Sequence, residues 1–189
     1  ALFSIETFLF TSAALLMGTL GSTALAAHQV TIMIAATAFM VPTAMGQAAN
    51  VRVGYHLGAG VTMAARRAGY AALWLGIGFM TVSALVLFTF PRELALLFQL
   101  DPEVAADAEV IALVVRLLMI CALFQIVDGA QAIAAGALRG YKDTRVPMLL
   151  ATFGYWGIGF TVAWTLGFPL GYGPMGIWWG LATGLAAAA

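Results

Sequence analysis

The sequence predicts an all-α integral membrane protein, a bundle of six transmembrane helices, and three observations carry that prediction. Hydrophobic residues make up 63% of the chain and charged residues 8%, whereas soluble domains run near 45–50% and about 25%. Eight basic and eight acidic side chains cannot cover a water-soluble fold of 189 residues, and the mean hydropathy of +1.00 suits a chain made mostly of spans. The apolar sequence is also broken into six segments, each near the roughly 20 residues that cross a bilayer core as a helix. No segment alternates with a period of two, which removes a transmembrane barrel.

The spans fall at 1–20, 24–49, 68–90, 109–138, 146–167 and 174–189. The breaks between them carry turn residues: Gly18 to Thr23, Gly54 to Gly60, Pro91 to Pro102, Gly140 to Asp143 and Gly167 to Pro174. The first and last spans are short, and the chain is apolar from Ala1 and again at the closing LAAAA. The expectation is therefore a single domain, 1–189, belonging to a longer membrane protein and truncated at both ends, with no signal peptide.

Composition excludes several functions. A net charge of zero offers no field for nucleic acid. One cysteine, Cys121, permits no internal disulfide, and two separated histidines without a CxxC pair give no zinc pattern. No cofactor is expected.

Local signals refine the ends and the packing. Asp101-Pro102-Glu103 reads as an N-cap followed by a first-turn proline and an acid near the positive helix end. Thr144 is expected to cap the fifth span, with Pro147 tolerated in its first turn. Pro42 falls inside the second span and is expected to kink it, because the carbonyl of Ala38 loses its donor. Gly136 with Gly140, and Gly176 with Gly180 and Gly184, recur every fourth residue, the spacing that lets helix backbones approach closely in lipid.

Three charged residues fall within spans: Glu6, Arg116 and Asp128. A central Asp costs roughly 2.5–3.5 kcal/mol on insertion scales, so each requires a reason. Arg116 lies about 10 Å along its helix from Glu109 and can snorkel outward. Asp128 stands about 16 Å from the cytoplasmic end near Arg139 and cannot. Gln125 and Gln131, three residues to either side, make one polar stripe with it, which should face the bundle interior or a wet cavity. Glu6, about 21 Å below the outer end at Leu20, reaches a similar depth. Two carboxylates in low dielectric resist ionising together, so a proton or small cation is expected between Glu6 and Asp128. His28 reads as an interfacial hydrogen-bonding group beside Gln29, and His56 as a loop residue.

GSTALAAHQV, MVPTAMGQAANVRVGYHLGAG and GALRGYKDTRVPM resemble, in order and spacing, the carboxy-terminal half of a multidrug and toxic compound extrusion (MATE) transporter, its seventh to twelfth helices. The similarity covers essentially the whole chain and is nearest to the NorM-like branch. It implies one lobe of a twelve-helix transporter, multi-pass in the plasma or bacterial inner membrane, that exchanges organic cations for sodium ions or protons. The other partners implied are membrane lipid and the missing amino-terminal lobe. Glu6 and Asp128 match the branch's ion-coupling acids, and would ligate the metal if the ion is sodium. Gln29 and Asp107 match positions implicated in holding substrate. Phe124 stands where some members carry a tyrosine, so it offers a ring face but no hydroxyl. The alternatives are a lipid-linked oligosaccharide flippase of the same superfamily and a non-transporting structural subunit. An enzyme is not expected: Asp128 sits in QIVDGA rather than GxGD, and no serine is paired with a histidine.

Basic residues orient the bundle. Loops 18–23, 91–108 and 167–174 hold one, Arg92, whereas loops 50–67 and 139–145 hold Arg52, Arg66, Arg67, Arg139, Lys142 and Arg145. The richer set belongs in the cytoplasm. In a Cys121→Ser background, a cysteine at Lys142 should react with an impermeant maleimide only from the cytoplasmic face, and one at Glu103 only from outside. The reverse pattern refutes the orientation.

Overall fold

The computed structural model describes the backbone from Leu2 to Ala189 and side chains from Thr7 onward. The chain forms α1 (Leu2–Thr19), α2 (Ser22–Gly58), α3 (Thr62–Thr89), a short α4 (Pro91–Leu96) and α5 (Ala105–Gly140). Then α6 (Arg145–Thr152), a π-helical stretch (Phe153–Gly159) and α7 (Phe160–Gly167) run on as one rod, and α8 (Gly173–Ala188) closes the bundle. Among the described residues, α2, α3, α5 and the Arg145–Gly167 rod are long and apolar enough to span a membrane outright. The flanking α1 and α8 are the shorter pair expected from the sequence.

Helix α5 is the axis of the fold. It packs against α2, α3 and α8, and 56% of its most apolar stretch is buried, against 22–28% in the other three long spans. Both glycine stripes are the close approaches their spacing implied. A Cβ on Gly136 would collide with the backbone of Gly46, and one on Gly140 would lie 2.8 Å from the Asn50 carbonyl oxygen. On α8, a Cβ on Gly176 would lie 2.5 Å from the Leu166 backbone and one on Gly184 would lie 2.6 Å from Gly159 Cα. The π turn serves the second contact. Gly154 and Gly159, five residues apart, both face α8. In an α-helix they would point about 140° apart, whereas π winding stacks i over i+5.

The turns also depart from expectation. Helix α2, with the buried Pro42 inside it, runs nine residues beyond the expected 49, because Val53 is buried beside Gly140 at the end of α5. It then stops at a left-handed Gly60 (φ 76), where the amides of Gly60 and Val61 donate back to Leu57 and His56. The end of α5 uses the same closure with Lys142 (φ 63) in the glycine position, its amide donating to Arg139 and that of Asp143 to Leu138. The two expected caps are corrected. Asp101 accepts from the Glu103 amide at 2.9 Å, but it shapes a loop, and α5 begins only at Ala105 with Val104 before it. Asp143, not Thr144, holds the start of α6, its Oδ1 accepting from Arg145 at 3.2 Å and Val146 at 3.3 Å.

If the Gly46–Gly136 approach holds α2 to α5, Gly136→Leu should lower stability by about 1–3 kcal/mol or prevent assembly. Gly78→Ala, on an exposed face with nothing within 4 Å, should be neutral or slightly stabilising. Thermal unfolding in detergent compares them, and equal midpoints would contradict the packing argument.

Candidate functional site

A cavity of about 460 Å³ opens between α1, α2, α5 and α8, with Met80 of α3 at its wall. Its lining is mostly apolar or aromatic: Phe10 and Ala14 from α1, Ile32, Ala36 and Phe39 from α2, Phe124 from α5 and Trp178 from α8. Into this wall come Thr7, Thr11, His28, Gln29, Gln125 and Asp128. Among the described residues, Asp128 is the one carboxylate in the lining, and no Lys or Arg joins it. At 8% exposure it is nearly withdrawn from solvent. An apolar cavity holding few convergent polar groups is the form of a small-molecule site.

Helix periodicity accounts for the α5 wall. Cys121, Phe124, Gln125 and Asp128 lie three or four residues apart and share one face. Gln131 does not line the cavity. The expected stripe is wider than the opening, because Gln125 and Gln131 stand about 120° apart around the helix. The Gln125 Oε1 accepts a long bond, 3.4 Å, from the Ser83 hydroxyl of α3.

The other sequence-predicted residues divide. Gln29 lines the cavity from α2. Asp107 does not: it lies in the first turn of α5, where its Oδ2 accepts from the Asp101 amide at 3.0 Å. Glu6 lies outside the residues whose side chains are described, so its pairing with Asp128 is not visible; Thr7, the next residue, lines the cavity. Arg116 is exposed on the far side of α5 from the cavity wall, as a snorkelling residue can be.

Sequence reasoning missed two wall residues. His28 is 2% exposed, with its ring edge-on to Trp178 at 5.7 Å. Trp178 is fully buried and also tilts against Phe124 at 6.0 Å. A signal existed. Trp178 stands about 160° around α8 from the glycine stripe, so if the glycines abut α7, Trp178 must face a second neighbour.

A family model described as MatE matches residues 2–165. The chain belongs to the MatE family. Among curated proteins it is 54% identical over 187 residues to the multidrug resistance protein NorM of Burkholderia vietnamiensis, covering 99% of this chain and 40% of that one. It is 50% identical over 184 residues to a probable NorM of Rhizobium meliloti, covering 97% of this chain and 39% of that one. The chain thus spans about two fifths of the length of these relatives. Among solved structures, a eukaryotic MATE transporter superposes with a TM-score of 0.91 at 24% identity, covering 100% of this chain and 41% of that one. A Pyrococcus furiosus transporter of the MOP superfamily superposes with a TM-score of 0.84 at 16% identity, covering 99% of this chain and 40% of that one. The fold of this MatE protein is one lobe of a twelve-helix transporter, multi-pass in the bacterial inner membrane.

If the cavity admits a ligand, Ala36→Phe should obstruct it, since Ala36 is an exposed lining residue with room for a ring. Affinity for a fluorescent aromatic cation should fall roughly tenfold or more, with thermal stability unchanged. Unchanged affinity places the ligand elsewhere.

Proposed function

We propose that this lobe is the second half of a cation-coupled antiporter that exports organic cations by alternating access. The observation that carries the reading is the cavity: among the described residues it holds a near-buried carboxylate, Asp128, in a wall of aromatic and sulfur-bearing side chains with no Lys or Arg. Such a wall attracts an amphipathic cation through ring faces and polarizable sulfur, and supplies one negative charge to hold it or the coupling ion. The names of the NorM relatives agree. A pyrophosphate-bearing lipid would need basic residues on that wall, so the flippase reading has less support.

Asp128 is the proposed ion-coupling residue, with Glu6 as its partner and a proton or sodium ion shared between them. Binding the ion neutralises charge in a low-dielectric site, and that neutralisation biases the lobe between its arrangements. Gln29, on the cavity wall, is proposed to contact substrate. For Asp107 the support is the family resemblance alone. The opposing wall of the transport pathway is proposed to come from an amino-terminal lobe, as the length of the relatives suggests.

The test uses a full-length chimera in which this chain replaces the matched residues of the Burkholderia vietnamiensis relative. Asp128→Asn keeps size and hydrogen bonding while removing the ionisable group, so efflux driven by a sodium or pH gradient in proteoliposomes should fall to background at normal expression. Wild-type efflux from Asp128→Asn removes the coupling role. Imposing the two gradients separately identifies the ion.

A further inference from the structure

Arg52, Arg66, Arg67, Arg139, Lys142 and Arg145 gather at one end of the bundle, where α2 stops at Gly58, α3 starts at Thr62 and α5 stops at Gly140. Close contacts hold these helix ends together. A Cβ on Gly69 would lie 3.6 Å from Ala137 and 3.8 Å from Val53, and one on Gly140 would lie 2.8 Å from Asn50. All six basic side chains are exposed, and among the described residues none is in an ion pair. The acid beside them, Asp143, has its Oδ1 on the amides of Arg145 and Val146. The ends of the spans lie at headgroup depth, so this positive surface faces lipid phosphates.

One part of that surface has a shape as well as a charge. Helices α3 and α5 run antiparallel, with Gly69, Gly76 and Met80 set in turn against Ala137, Ile133 and Gly129. Each next residue of a right-handed helix turns about 100°, so on antiparallel partners the positions that follow the contacts fall on the same flank. Tyr70 follows Gly69 and Ile77 follows Gly76, while Ala130 and Ala134 follow Gly129 and Ile133. The flank is a furrow, floored by the half-buried Ala130 and Ala134 and walled by the exposed Tyr70. Arg66 stands at its mouth, one turn before Tyr70, with its guanidinium carbon 5.6 Å from the centre of the Tyr70 ring. Facing it across the seam are Tyr141, one turn past Ala137, and then Lys142, both exposed.

We propose that the α3–α5 furrow binds an anionic phospholipid, with its phosphate on Arg66 and Lys142 and an acyl chain along Ala134 and Ala130. A guanidinium and an ammonium both take phosphate oxygens, the guanidinium in a forked geometry. Tyrosines suit headgroup depth, with an apolar ring below and a hydroxyl above. A soluble anion would use the mouth and leave the furrow empty, whereas a phospholipid uses both. A zwitterionic lipid brings its own cation beside Arg66 and loses part of the attraction. The furrow shares no residue with the lining of the cavity, so the lipid does not compete with a ligand there.

Native mass spectrometry of the chain in detergent, titrated with phosphatidylglycerol or phosphatidylcholine of identical acyl chains, tests this. The wild type should bind phosphatidylglycerol about fivefold or more tightly, and Arg66→Gln should lower that affinity about fivefold, the effect of one basic residue near an anionic headgroup. Arg139→Gln removes the same charge from the same end of the bundle. Arg139 stands about 160° around α5 from Tyr141, so its loss should change affinity less than about twofold. Ala134→Phe fills the furrow without altering charge and should weaken both lipids several-fold. Equal binding of the two lipids by the wild type overturns the site. Equal losses in Arg66→Gln and Arg139→Gln also overturn it, since they show a diffuse positive surface. Displacement of the lipid by millimolar inorganic phosphate, with Ala134→Phe binding as the wild type does, shows a free-anion site and overturns the lipid assignment. The charge variants lie on exposed positions and keep the test decisive where Ala134→Phe does not fold.

Discussion

The contact on which this lobe depends is the approach of backbone to backbone between α2 and α5, at Gly46 and Gly136. Lipid gives helices no hydrophobic reason to associate, so the helices must gain from dense packing and weak polar contacts, and both require small residues at the crossing. Gly136 opposite Gly46, with Gly140 opposite Asn50 and Val53, lets the two axes come close toward the Gly58 end of α2. Toward the Ser22 end of α2 the same helices carry His28, Gln29, Ile32, Phe39 and Phe124, and the space between α1, α2 and α5 opens into the cavity. Tight packing at one end and bulk at the other produce the cleft.

A second crossing completes it. Helix α8 meets α7 through Gly176 and Gly180 and the π-wound stretch through Gly184, which turns its opposite face toward α2 and α5 and delivers Trp178 to the cavity wall. The polar residues of the site are thereby brought from separate helices into a medium with little water. There an ionisable group such as Asp128 is expensive to keep unless it has a task. Among the described residues, the proposed site combines the Asp128 carboxylate with an adaptable aromatic lining. Such a wall holds a cation largely through its ring faces, and ring faces are tolerant of shape.

Much of this was legible in the chain. Apart from the end of α2 and the start of α3, hydropathy and turn residues placed the spans within a few residues, four-residue glycine spacing named both crossings, and the cost of burying an acid singled out Asp128. These properties are local: each follows from composition, from helical periodicity or from the energy of one group in lipid. The start of α5 and the cap of α6 were misread because both Asp101 and Asp143 can bond several nearby amides, and only the path of the loop selects among them.

The remainder needed the tertiary structure. That α2 continues past Asn50 depends on Val53 finding α5, which no window of sequence contains. His28 looked interfacial because its distance from the span end is all that a single helix reveals; its burial comes from Trp178, 150 residues later on α8. The polar stripe on α5 was visible, but which of its edges meets the cavity was decided by the neighbours, so that Gln125 is in and Gln131 is out. The sequence determined which side chains each helix presents, because 3.6 residues per turn is a property of the backbone. Only the packed bundle determined what those side chains face, because helix rotation and crossing are set by contacts between segments far apart in the chain.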